Sequence, residues 1–345
     1  MKITADLKPV KEPGINEANR VYKKWGVSAM NDNSVLGVSI SRNDIRFVEA
    51  ELWQDAPSIT NVVEIQLDIP LDAKAVQNPE LIPHFATLID NAVDNSSLNA
   101  RDARLSIYQD FALIKTFPVE APLKNTEIRQ HIEWELEQAL ISPRDHFNVG
   151  FELYPQANGS HVVVVAALRK SIVNYLQDIF KKSLVTLKSI DIDLTAELRA
   201  LNSVSRPDLD GTNILVHYDG LYFNLALIKN SHFLSCLKSE IPLNTDVMSE
   251  DKEKAGTIIV NSMRDLCEHS GVELSDIKTI YLSGHSLDDA SFRNMHQIVD
   301  QKVSKVNSFN SLNRQLNLES EEYVKKTPEK FLAAVGMVFE ETGRS

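Results

Sequence analysis

The chain has 345 residues, of which 48 are acidic and 36 basic, and its formal net charge of −12 argues against a nucleic-acid surface. Its only two cysteines exclude a disulfide framework and a multi-cysteine metal site. No run of residues reaches the roughly 18 apolar side chains that a membrane span needs, so we expect a cytoplasmic protein without direct membrane insertion.

The amino-terminal region, residues 1–33, is predicted to be a polar leader outside the core, because it sustains neither a period of two nor one of 3.6. The first regular element is then a hairpin over Val35 to Glu51, whose polar turn runs from Ser41 to Asp44. A third run at Asn61 to Ile69 completes a predicted antiparallel meander.

A helix and a strand are predicted next, at Leu81 to Val93 and at Ala103 to Tyr108. Residues 111–168 then depart from this order and predict a small inserted α+β subdomain. Its helix carries apolar side chains on one face, at Ile128, Ile132 and Leu136. The run from His161 to Leu168 is apolar on both faces, which predicts an interior strand.

The opening pattern returns later in the chain. Asn213 to Ile241 contains three strand-like runs separated by the turns Asp219-Gly220 and Asn230-Ser231. The loop Ser203 to Gly211 is the best domain boundary, so we predict a first domain over 34–204 and a second over 205–345. The final helix is predicted to start at Thr327, with Pro328 in its first turn.

Three antiparallel strands followed by helix, strand, helix, strand and helix, given twice, is the topology of the actin, Hsp70 and sugar-kinase superfamily. The predicted fold class is therefore α/β, with duplicated ribonuclease H-like (actin/Hsp70-like) domains and a small α+β subdomain inserted in the first. More closely, the chain resembles the PilM family of type IV pilus assembly proteins, relatives of the division protein FtsA. The segments that carry this resemblance are Leu36 to Glu51, Glu127 to Pro143, Val163 to Leu168, Asp191 to Leu201, Tyr281 to Gly284 and Lys330 to Phe339.

Working members of that superfamily hold a nucleotide between the two units, with carboxylates for magnesium and glycine backbone near the phosphates. The resemblance places the equivalents of that pocket at Ser39, Ser41, Arg42, His217, Asp219, Gly220, Gly284 and His285. The family's first Asp-Ile-Gly is Ser39-Ile40-Ser41 here, and its second acid is His217. These changes argue against magnesium-dependent hydrolysis, so we expect no catalytic residue, no metal site and no cofactor, with ATP and magnesium as the alternative.

By resemblance, we expect a non-catalytic actin-like adaptor of a type IV pilus or related secretion machine, held peripherally at the inner membrane through a partner. PilM proteins take up the short cytoplasmic tail of an inner-membrane protein of the PilN type, between the first subdomain and the inserted one. The corresponding groove residues here would be Phe111, Ile128, Ile132, Trp134, Leu136 and Phe147.

Three alternatives stay open at this point. An actin-like ATPase with diverged phosphate loops would bind magnesium ATP, with Asp219 replacing the missing acid. A filament-forming relative like FtsA would sediment as polymer, and a homo-oligomer is also left open. Cytoplasmic domains of the GspL type share the fold but normally continue into a membrane span, which favours the PilM family for this chain.

Overall fold

The computed structural model describes residues 33–52, 57–119, 125–140, 142–156, 159–205, 209–219, 222–240, 250–285 and 295–339. The strands are β1 (Ser34–Ile40), β2 (Asp44–Leu52), β3 (Pro57–Gln66), β4 (Asp102–Ile107), β5 (Ala112–Val119), β6 (Phe147–Pro155), β7 (His161–Arg169), β8 (Thr186–Ile192), β9 (Thr212–Tyr218), β10 (Tyr222–Lys229), β11 (His232–Glu240), β12 (Ile277–Gly284), β13 (Lys302–Lys305) and β14 (Asn313–Arg314). The helices are α1 (Ile82–Asn95), α2 (Asn125–Ala139), α3 (Lys170–Lys182), α4 (Asp193–Val204), α5 (Glu250–His269), α6 (Leu318–Lys326) and α7 (Leu332–Val338).

Two sheets repeat the same strand order. In the first, the antiparallel meander β3-β2-β1 continues into the parallel strands β4 and β8. In the second, the meander β11-β10-β9 continues into the parallel strands β12 and β13. Both predicted meanders are confirmed. The predicted Asn230-Ser231 turn has both residues at positive φ, as a tight hairpin turn requires.

The inserted subdomain is a three-stranded sheet in the order β5-β7-β6, covered on one face by α2. The central strand β7 buries alternate side chains on its two faces: Val163 and Val165 pack with α2, whereas Val164 and Ala166 join the core of the first sheet. The prediction of an interior strand is therefore confirmed. The edge strand β5 contains Pro118, and proline is tolerated in strands at such edges.

The end of the chain returns to the first sheet. Strand β14 pairs with β3, and α7 packs so closely on β1 that a Cβ on Gly37 would lie 2.2 Å from the carbonyl oxygen of Ala334. Residues 313–339 thus pack on the first sheet, although the sequence groups them with 205–345. The domain limits themselves stay predictions.

The last helical segment of the chain differs from the prediction in how it is capped. The final helical segment begins as a 3-10 turn at Pro328–Phe331, with Thr327 at the N-cap position and Pro328 in the first turn as predicted, but the Thr327 side chain makes no capping hydrogen bond. Residues 286–294 lie outside the described residues, and residues 295–298, which follow them, are helical. Residues 1–32 of the predicted leader also lie outside the described residues.

The hydrophobic core consists of separate apolar clusters, of which each of the three largest belongs to one sheet. One large apolar cluster lies around the first sheet, a second lies between the second sheet and α5, and a third fills the inserted subdomain. The helices α4 and α7 cross through small side chains, because Ala196 packs against Ala333 and Met337. Within the described ranges, no helix combines the length and the apolar character that a membrane crossing requires.

Candidate functional site between the two sheets

The predicted pocket residues meet where the two repeated units face each other. The turn between β1 and β2 comes from the first unit, as does α4, which starts directly after β8. The ends of β9 and β12 come from the second unit and lie side by side, with Ser283 in register with His217 and Gly284 with Tyr218. We call this region the cleft.

The first hairpin turn satisfies its own backbone groups. The hydroxyl of Ser41 accepts the N–H groups of Asn43 and Asp44, both at 3.3 Å, and the Ser41 N–H donates to the Asp44 carbonyl at 3.0 Å. Ser39 is buried in β1. Arg42 pairs with Asp72 at 3.5 Å. The turn amides that would approach a phosphate in this fold are therefore bonded to Ser41.

Asp44 lies at the centre of a buried ionic network that crosses the cleft. Its Oδ2 contacts Arg46 Nη2 and His285 Nε2, each at 2.8 Å. Arg46 also contacts Glu64 at 3.1 Å, and Glu64 contacts Lys330 at 3.1 Å. Burial raises the pKa of Asp44, but Arg46 and His285 outweigh it and hold this pKa below its ordinary value. Asp44 is thus a carboxylate at neutral pH.

A second cluster joins α4 to the ends of β9 and β12. His217 Nδ1 lies 2.7 Å from Glu197 Oε1, and the hydroxyl of Ser283 donates to Glu197 Oε2 at 3.1 Å. Asp193 Oδ2 has no hydrogen bond and lies 3.8 Å from His217 Nε2.

The charges of this cluster are set by its burial and by its neighbours. Burial lowers the pKa of His217, but Glu197, Asp193 and Asp219 outweigh it and raise this pKa to about 9. Burial raises the pKa of Asp193 to about 7, although His217 opposes the change. His217 is therefore an imidazolium at neutral pH.

Asp219 of the second hairpin and Gly284 at the end of β12 have structural roles. Asp219 Oδ1 accepts the N–H of Tyr222 at 2.7 Å, which is the bond of a turn residue. Gly220 lies outside the described residues. Gly284 has φ +85°, and a Cβ there would lie 2.3 Å from the Tyr218 carbonyl oxygen, so this turn requires glycine.

Several of these residues depart from the pattern that holds a magnesium nucleotide in this fold. Ser41 uses the amides of its own turn, the His285 imidazole contacts Asp44, and His217 is ion-paired where the family pattern has an acid. Among the described residues, no three histidine, cysteine, aspartate or glutamate side chains are arranged to hold a metal ion. The cleft can bind protons and hold the two units together, and among its buried oxygens Asp44 Oδ1 and Asp193 Oδ2 have no hydrogen-bond partner.

The six residues predicted to form the partner groove do not lie on one surface. Phe111 is buried in the core of the first sheet, and Trp134 is 55% exposed on α2. The remaining four side chains are buried in the core of the inserted subdomain: Ile128, Ile132, Leu136 and Phe147. The apolar face that predicted α2 is therefore used for packing on its own sheet.

An aromatic series runs from β5 to the exposed side of α2. The Phe117 and His131 rings are 5.0 Å apart in an edge-to-face arrangement, and the His131 and Trp134 rings stack at 6.1 Å. We call these three residues the aromatic series. Among the described residues, β5 pairs only with β7, so the aromatic series lies beside a sheet edge.

Sequence reasoning did not select the main members of the two ionic clusters as site residues. These members are Asp44, Asp193, Glu197 and Ser283. A signal exists for Asp193, because it stands directly between the apolar residues Ile192 and Leu194. A charged residue in such a position needs a partner, but the sequence does not say which one.

The repeated strand order and the paired helices α4 and α7 define a protein with the actin-like fold. Among solved structures, the chain is similar to an actin-like ATPase-fold protein of unknown function from Bacteroides thetaiotaomicron VPI-5482. That similarity has a TM-score of 0.51 at 12% identity, over 87% of this chain and 99% of that one. It is also similar to a chain of a PilM–PilN type IV pilus biogenesis complex, with a TM-score of 0.69 at 15% identity, over 88% of this chain and 97% of that one. The predicted fold class is confirmed.

The family follows from the sequence match. The model of the family described as type IV pilus assembly protein PilM matches residues 37–213, just over half of the chain. The chain belongs to this family, and the resemblance stated from the sequence is confirmed. A search of the curated proteins gave no match to the chain.

Proposed function

We propose that this protein is a non-catalytic adaptor of a type IV pilus assembly machine, which works in the cytoplasm and binds the short cytoplasmic tail of an inner-membrane partner. Its family membership supports the machine, and the similar chain from the PilM–PilN complex supports a partner of the PilN type. The observation that carries the tail-binding part is the edge strand β5 with the aromatic series beside it.

The edge of β5 favours a peptide that adds a strand. An unpaired strand edge offers N–H and C=O groups in a row, and an extended peptide can bond to them while its side chains enter neighbouring pockets. The other edge of this sheet, β6, packs near β11, where the Tyr154 and Phe233 rings are 5.2 Å apart. We therefore assign the tail to the β5 edge.

The chemistry of α2 suggests what the tail carries. Trp134 is a large exposed aromatic side chain, and such residues are enriched among those that dominate binding energy. Glu137 follows one turn later on the same side of the helix and is exposed. A tail with an apolar anchor for Trp134 and a basic residue for Glu137 would fit this surface.

The test is a binding titration of the full chain with a synthetic peptide of the cytoplasmic tail of its PilN-type partner. Trp134→Ala is expected to weaken binding about tenfold, which corresponds to about 1.4 kcal/mol. Leu184→Ala is the matched control, because Leu184 is similarly exposed, at 52%, on another surface. Both variants should unfold at the temperature of the unmodified protein.

The outcomes separate the site from the function. Unchanged affinity in Trp134→Ala would remove the tail from the β5 edge, whereas the absence of any tail binding by the unmodified protein would contradict the adaptor function.

A further inference from the structure

We infer that the cleft is closed by a latch of the protein's own side chains, which takes the place that a bound nucleotide has in other proteins of this fold. The latch consists of Asp44 with His285, and of Glu197 with His217 and Ser283. It would keep the two units in the closed arrangement without magnesium or nucleotide. This inference does not depend on the proposed binding of a tail.

Both parts of the latch join the first unit to the second. Asp44 begins β2 in the first sheet, and His285 follows β12 in the second sheet, yet their side chains meet at 2.8 Å. Glu197 lies on α4 and contacts both His217 of β9 and Ser283 of β12. Each carboxylate therefore contacts a side chain from the other unit.

The position of His285 is prepared by its backbone. Its N–H donates to the Tyr218 carbonyl at 2.6 Å, and Gly284 before it adopts the positive φ that directs the chain into the cleft. On the side of the first unit, Arg46 contacts the same Asp44 oxygen. Glu64 contacts Arg46 and Lys330 contacts Glu64, so acidic and basic side chains alternate along this network. Because Asp44 is held on its own side of the cleft, closing the units places His285 against a fixed carboxylate.

The same contacts can hold the two units together without a nucleotide, and they oppose the binding of one. A nucleotide in this fold bridges the two units through phosphates, and here the contacts of Asp44 with His285 and of Glu197 with His217 bridge them directly. Asp44, Glu197 and Asp219 are buried at the cleft, and among the described residues no arrangement of side chains would hold a metal ion between them and a phosphate. A phosphate would have to separate these paired side chains to enter the cleft.

Further contacts between the units support the closed arrangement. Lys238 of β11 forms an ion pair with Asp110, which follows β4. Lys305 of β13 lies 3.6 Å from Glu329 in the turn before α7.

The test measures the opening of the cleft by hydrogen–deuterium exchange and small-angle scattering on the full chain, with and without magnesium ATP. In the unmodified protein we expect ATP to change neither the exchange of residues 39–46 and 281–285 nor the radius of gyration. His285→Ala should raise exchange in both segments at least tenfold. His285→Gln, whose amide can donate to Asp44, should restore most of the protection.

A matched control is available in the first unit. His84 and Asp68 also form a histidine–carboxylate pair at 2.8 Å, but both residues lie on the same side of the cleft. His84→Ala should therefore leave the exchange of the two cleft segments unchanged. If His285→Ala does not fold, Asp44→Asn replaces it in the same exchange measurement and should also raise exchange in both segments, because it removes the negative charge from this part of the latch.

Two results would overturn the inference. One is slower hydrogen–deuterium exchange of residues 39–46 when magnesium ATP is added to the unmodified protein. The nucleotide, and not the latch, would then hold the two units together. The other is a folded His285→Ala or Asp44→Asn protein in which residues 39–46 and 281–285 exchange at the same rate as in the unmodified protein.

Discussion

The folded protein should lose stability as pH rises from 6.5 to 9, and His217 should be the main cause. Its ordinary pKa of 6.5 rises to about 9 in the folded protein, because Glu197, Asp193 and Asp219 together outweigh its burial. Below pH 6.5 the side chain is protonated in both the folded and the unfolded state, and its full contribution to stability is present. As pH rises through about 9 the folded state also loses the proton, and that contribution disappears.

The magnitude follows from the size of the shift. One pKa unit corresponds to about 1.4 kcal/mol, so a rise from 6.5 to about 9 predicts a loss of roughly 3 kcal/mol across this range. Asp193 acts in the same direction at lower pH, because its pKa is raised from 3.8 to about 7. Its contribution to stability therefore falls mainly between these two values, before most of the change due to His217.

The assay is urea unfolding at several pH values between 6 and 9.5, on the unmodified protein and on His217→Gln. The variant is expected to be less stable at pH 6.5, because Glu197 loses its partner, and to show a much flatter dependence on pH. His269→Gln is the control, because His269 is exposed at the end of α5. A pH slope that survives in His217→Gln, or a flat profile in the unmodified protein, would refute this assignment.

Two further substitutions test packing and charge. Helix propensity predicts that Gly336→Ala gains about 1 kcal/mol, but its Cβ would lie 1.9 Å from the Ala196 carbonyl oxygen, so we expect a net loss of about 1–3 kcal/mol in urea unfolding. A gain would contradict the close crossing of α4 and α7. Arg46→Met should cost about 3–5 kcal/mol in the same assay, because the buried Asp44 and the half-buried Glu64 lose the cation that they share. A loss below 1 kcal/mol would show that the network adjusts.

The elements that sequence reasoning predicted are those with local causes. The turns at Ser41 to Asp44 and at Asn230-Ser231 contain residues suited to tight turns, and the flanking strands pair as their alternation requires. The two-faced apolar run of β7 predicted its central place in the inserted sheet. These features depend on side chains within a few residues of each other.

The candidate site was only partly predictable. The sequence identified His217, Asp219 and His285 because they occupy positions of the family pattern, but it did not show that His217 would pair with Glu197 or His285 with Asp44. The groove residues illustrate the opposite limit. Their apolar spacing predicted α2, yet that spacing cannot tell a side chain that binds a partner from one that fills the subdomain's own core.

The sequence by itself determined the repeated order of strands and helices, the kind of each turn and the residue types available at the cleft, because these follow from short-range backbone preferences and periodicity. Only the tertiary structure decided which charges meet across the cleft, that residues 313–339 return to the first sheet, and that Gly336 is a contact point. The physical reason is that ion pairs and close helix crossings act over a few ångströms in space, between residues whose separation along the chain carries no signal of their contact.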